Sequence, residues 1–150
     1  MMSPATNDVL NRLLVIHNRS LIMYIVDAAP WLRPGEEPAF NALSLIAADL
    51  RRTVDRIAHF ILDNDGEVET GDYPLHFTRY NDLSLDYLLQ ELMRVQIEDI
   101  VKIERCVEAL STAPFAKALA QEAHGAALGH LDTLKELLSG EPAVAGHAAV

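Results

Sequence analysis

Hydrophobic residues recur along this chain at intervals of three and four over four long stretches, the spacing that lines one face of an α-helix. In the first stretch Leu10, Leu14, His17, Leu21, Tyr24 and Ala28 form one line, and Val9, Leu13, Ile16, Ser20 and Met23 form a second beside it. Ser3-Pro4 opens this helix and Pro30 closes it, because proline lacks an amide and is tolerated only where that amide would have no helical partner. A helix apolar over so much of its girth predicts cover on two sides. The second stretch, Ala39 to Asn64, turns Leu43, Ile46, Leu50, Val54, Ile57 and Ile61 inward; Asp49, Arg52, Asp55 and Arg56 fall mostly outside that stripe, and His59 points away from it. The third, Asp82 to Leu110, aligns Leu85, Leu89, Leu92, Gln96, Asp99, Ile103 and Cys106. After a break at Ser111–Pro114, the fourth aligns Phe115, Leu119, Ala123, Ala126, His130, Leu134 and Leu137.

Between the second and third helices lies "GEVETGDYPLHFTRYN", Gly66 to Asn81, with no sustained period. Extended, it could span about 50 Å, more than the roughly 40 Å of each helix. Short links join the first helix to the second and the third to the fourth, so those pairs are expected to be antiparallel. The pattern therefore predicts an all-α four-helix bundle over 1–138 with one long crossover between helices 2 and 3. Tyr73, His76, Phe77, Arg79 and Tyr80 are expected to fasten that crossover to the bundle. The small-residue tail, 139–150, is expected to be flexible, with no role for His147.

Composition narrows the function. The 150 residues suit one domain, half of them hydrophobic and 23% charged. A formal charge of −10 and the lack of clustered Lys and Arg predict no nucleic-acid partner. A single cysteine, Cys106, cannot form an internal disulfide, and its place on the apolar stripe predicts a small core residue. No basic segment followed by an apolar one opens the chain, and no uninterrupted apolar run approaches the roughly eighteen residues of a membrane span. The expectation is a cytoplasmic protein with no membrane partner. Neither a glycine-rich phosphate loop nor a nucleophile elbow is present.

Three segments carry a resemblance. "LNRLLVIHNRSLIMY", Leu10 to Tyr24, "DRIAHFILDNDG", Asp55 to Gly66, and "GHLDTLKEL", Gly129 to Leu137, resemble the first, second and fourth helices of bacterioferritin and its relatives in the ferritin-like superfamily. The resemblance implies a ferritin-like bundle and the positions of a di-metal centre, which takes one Glu from each of two helices and a Glu-x-x-His pair from each of the others. His17 falls where the family has its first metal-binding glutamate, and His130 falls on a family histidine ligand. Ala127 stands in the place of the carboxylate three residues before that histidine. The second helix offers Leu50 and Thr53 when aligned on Gly66, or Asp49 and Arg52 after a one-residue slip. Neither is a working pair, and an arginine there would repel a cation. The third helix leaves Glu91, Gln96 and Asp99 open as the matching position.

A full di-iron site is thus not expected, and two functions remain. In the first, one iron, zinc or manganese ion is held by His17, His130 and a carboxylate, Asp99 or Glu91, for metal sequestration or an oxidase-type role. In the second, the chain is a non-catalytic interaction or stress-related module, and the same residues form a metal-free hydrogen-bonded core. The resemblance also implies a homodimer through helices 1 and 2, for which the second apolar stripe of helix 1 would be the surface. The alternative cover for that stripe is the crossover.

Overall fold

The computed structural model describes residues 2–140. They form α1 Pro4–Asn18, α2 Leu21–Ala28, α3 Glu37–Asp63, a six-residue 3-10 helix Leu75–Tyr80, α4 Leu85–Ala109 and α5 Pro114–Ser139. Among these residues the protein is all-helical. The expected tail lies outside the described residues except for Ser139 and Gly140, and His147 lies outside with it.

Local chemistry sets the helix ends. The Ser3 hydroxyl accepts from the Thr6 amide at 3.1 Å and Pro4 occupies the first position of α1, so two amides that would lack helical partners are accounted for. Ser84 does the same for α4, and Gly140, at φ 77°, ends α5 in the left-handed conformation. The expected first helix is in fact two. Arg19 leaves the helical region at φ −116°, ψ 28°, and the Ser20 hydroxyl caps a new helix by accepting from Met23 N at 3.3 Å. Asn18 and Ser20 flank this break, and their short polar side chains compete with the helical backbone or serve as caps. The break frees Asn18 and Arg19 to hold the crossover: Asn18 Nδ2 donates to Thr70 O at 2.9 Å, and Arg19 Nε donates to Gly71 O at 2.9 Å.

The crossover travels end to end. Near its start, Asn64 O accepts from Met2 N at 3.3 Å. It then climbs α1, where the Asn11 amide donates to Glu67 O at 2.7 Å and accepts from Glu69 N at 2.8 Å. Gly71, at φ 68°, presses against Val15, and a Cβ there would sit 2.9 Å from Val15 Cγ1. At the far end Tyr73 OH donates to Asp27 Oδ2 at 3.2 Å, Tyr24 OH donates to Asn81 Oδ1 at 2.8 Å, and Tyr24, Tyr73 and Phe77 pack ring against ring. The chain therefore enters α4 at the opposite end from where it left α3, and the two helices run in the same direction.

The interior divides into two apolar clusters. One joins Leu21, Ile22, Met23 and Ile25 of α2, Leu43, Ile46, Ala47 and Leu50 of α3, Phe77 and Tyr80 of the crossover, Leu85, Leu88, Leu89 and Leu92 of α4, and Leu134 of α5. The other joins Val9, Leu10, Leu13 and Leu14 of α1, Ile57 and Ile61 of α3, Ile100, Ile103, Cys106 and Leu110 of α4 and its C-terminal cap, and the alanines 116, 120, 123 and 127 of α5. Val9, Leu13 and Met23, members of the second stripe of the first helix, are buried inside these clusters, while the crossover covers another flank of α1. The stripe that suggested a twofold partner is thus filled largely within the chain. Pro4–Ala28 is long and apolar enough to cross a membrane by length and composition, with mean hydropathy 1.2 over its most apolar window. That apolarity serves the same internal packing, since Leu10, Leu13, Leu14 and Leu21 are essentially inaccessible to solvent.

Candidate functional site

Each rod places a polar residue at the level between the two clusters: His17 at the end of α1, Asp49 on α3, Gln96 on α4 and His130 on α5. His17 is 4% exposed, and its Nδ1 lies 2.8 Å from Leu13 O. A carbonyl can only accept, so Nδ1 carries the hydrogen and donates. Burial lowers the His17 pKa below its ordinary value; the Leu13 bond opposes that shift, the nearby His130 adds to it, and Asp49 opposes it. The neutral ring therefore has its Nε2 lone pair available.

His130 has the complementary arrangement. Its Nε2 lies 2.7 Å from Asp49 Oδ2, and since a carboxylate only accepts, Nε2 is the donor. The other ring nitrogen, Nδ1, is buried and has no hydrogen-bond partner. Asp49 is fully engaged: Arg52 donates to its Oδ1 at 3.1 Å while His130 donates to Oδ2. Gln96 Nε2 donates to Ala127 O at 3.0 Å, one turn before His130, which satisfies part of that amide. The layer thus contains two imidazoles, each fixed by one donated hydrogen bond and each with its second nitrogen unspoken for in these bonds.

The other two candidate ligands are elsewhere. Glu91 accepts from Tyr80 OH at 2.9 Å and from Arg94, and the Arg94 hydrogen bond followed by that of Tyr80 holds its carboxyl below the usual range. It anchors the 3-10 helix to α4. Asp99 lines a cavity bordered by Arg19, His76 and Arg94, and pairs with Lys102 at 3.8 Å. Burial pushes its carboxyl up to about 6, offset in part by Lys102. The charges acting on His17 are those of His130 and Asp49, whereas those acting on Asp99 are Lys102 and Glu98. The charges of His130 and Asp49 act on His17, and His130 bonds Asp49, whereas Glu91 and Asp99 are engaged with other partners. In sequence Asp49 is discounted because Arg52 follows one turn later, and that arginine is bonded to it.

A di-metal centre does not fit these residues. Its bridging carboxylates have no counterpart at Ala127 or Gln96, and Asp49 is occupied by His130 and Arg52. Among the described residues no group of three or more His, Cys, Asp or Glu side chains is arranged to hold a metal ion. What the layer offers is two ring nitrogens, one of them a buried atom without a partner. Comparison with known proteins finds no matching family model, no curated relative and no similar solved structure, so the functional argument rests on this geometry.

Proposed function

We propose that this protein is a ferritin-like four-helix bundle that has lost a di-metal centre and keeps a histidine pair able to take up one transition-metal ion. The end-to-end crossover and parallel α3 and α4 support the ferritin-like reading, because that topology joins the middle helices by one long connection. The observation that carries the metal reading is the orphaned Nδ1 of His130. A buried lone pair without a partner is costly, and here it belongs to a ring fixed through its other nitrogen by a carboxylate. That is how metal-ligating histidines are oriented.

His17 Nε2 and His130 Nδ1 are the donors this reading requires, with Asp49 orienting His130 and the Leu13 carbonyl orienting His17. Bound there, iron(II), zinc or manganese would supply Lewis acidity, and iron would add redox chemistry toward oxygen. Two protein donors leave the remaining positions to water, which favours sequestration over tight structural binding. Elemental analysis of protein purified without chelators tests this. One metal ion per chain, lost in His17→Ala and in His130→Ala and kept in the exposed control His59→Ala, is the expected result. A metal-free wild type that takes up neither iron(II) nor zinc overturns it.

A second reading has its own support, since Asp49 is already satisfied and no three-ligand group is assembled. In it the layer is a metal-free polar core of a non-catalytic module, and metal leaves the unfolding midpoint unchanged. Self-association in either case would use Leu45 and Leu62, exposed on α3, rather than the filled stripe of α1. Light scattering that shows only monomer at micromolar concentration removes a homodimer from both readings.

A further inference from the structure

The outer side of α1 carries a feature independent of the core. A cavity of about 560 Å³ opens between α1, the crossover and α4. Val15, Ile16 and Cys106 give it an apolar lining, and Arg12, Lys102 and Arg105 stand around it. On the α-helices Arg51, Arg52, Arg56 and Arg94 each hold a carboxylate. Arg12 and Arg105 make no hydrogen bond or ion pair among the described residues. Arg12 and Arg105 thus place two guanidiniums with no bonded carboxylate on the same cavity.

The charge of the lining is specific in amount. Asp8 and Glu69 also border the cavity, so three cations face two carboxylates and the balance matches a single negative charge. Lys102 is partly spent on Asp99 at 3.8 Å, which leaves the two guanidiniums as the available donors. A planar guanidinium matches a carboxylate with paired donors, while the apolar lining gains from burying hydrocarbon. The volume falls within the range of small-molecule sites.

We infer that this cavity binds a monoanionic organic acid, its carboxylate between Arg12 and Arg105 and its apolar body against Val15, Ile16 and Cys106. Calorimetric titration with octanoate, below its micelle concentration, tests this on the full chain, with octylammonium and octyl phosphate as comparison probes. Octanoate is expected to saturate at one per chain and octylammonium not to bind. The double variant R12Q/R105Q is expected to weaken octanoate at least about tenfold, the scale of one charge-assisted contact. Both side chains are exposed and unpartnered, so that variant is expected to keep the wild-type circular dichroism and urea midpoint. Octanoate binding the double variant as well as the wild type, or not binding the wild type at all, overturns the assignment. So does equal binding of octylammonium, and tighter binding of octyl phosphate would overturn the choice of a monoanion.

Discussion

Leu14 and His17 occupy successive turns of the same helix and are both buried, yet their surroundings obey different rules. Leu14 belongs to an interior of aliphatic side chains and close-packed alanines, where every atom removed from water contributes and shape alone matters. Three residues on, His17 enters a layer where each polar atom must find a partner or bear the cost of lacking one. The layer sets a buried ring, His17, beside a partly buried one, His130, each fixed through one nitrogen.

Substitutions that treat the two regions alike should expose the difference. The largest effect is expected from Leu14→Ala, which leaves a cavity in a fully buried site and should cost about 2–5 kcal/mol in urea unfolding. A loss under about 1 kcal/mol would mean that this cluster is loosely packed. Asp99→Asn should act in the opposite direction. Its folded pKa of about 6 lies well above the ordinary aspartate value, so ionising it costs the folded state up to about 3 kcal/mol. That penalty is complete above pH 6 and absent below about pH 4. The variant should therefore be more stable than wild type at pH 8 and equal to it at pH 3.5.

Asp49→Ala removes the acceptor of His130 and should cost about 1–3 kcal/mol, a polar-layer loss with no large cavity. Smallest is Arg56→Ala, which breaks an exposed ion pair with Glu122 and should cost less than about 1 kcal/mol. The pH dependence separates the regions further. The lowered pKa of His17 means that the unfolded chain takes up a proton the fold resists, so its contribution is destabilising as pH falls through about 6.5. Asp99 favours the fold as pH falls from about 6 toward 4. The difference between wild type and Asp99→Asn across that window gives the Asp99 part, and the His17 part stays in the pH dependence that the variant retains.

Much of the fold is legible in the sequence because apolar periodicity is a direct record of burial. The stretches 39–64, 82–110 and 115–138 match α3, α4 and α5 to within a few residues, and the unpatterned length of 66–81 foretells a link that spans the molecule. The break at Arg19–Ser20 is hidden because Leu21, Ile22 and Met23 continue the apolar pattern across it; the cause is a cap and the crossover's carbonyls, both tertiary or local polar effects. The site is legible only in part for a related reason. His17 and His130 stand on inward stripes, but the partner of His130 lies off the inward stripe of its own helix, where Asp49 and Arg52 read as a surface pair. Glu91 and Asp99 show the converse, since local pattern and inward register cannot reveal that Tyr80 and Arg94 claim one and Lys102 the other.

The central claim is that both histidines are held through one nitrogen and offer the other. Nitrogen-15 correlation spectra of the histidine side chains test it directly, recorded at pH 7.5 before and after one equivalent of zinc. The hydrogen is expected on Nδ1 of His17 and on Nε2 of His130, and zinc is expected to shift His17 Nε2 and His130 Nδ1 together while the exposed His59 stays in place. Reversed tautomers, or zinc that moves His59 and leaves His17 and His130 untouched, would contradict the account.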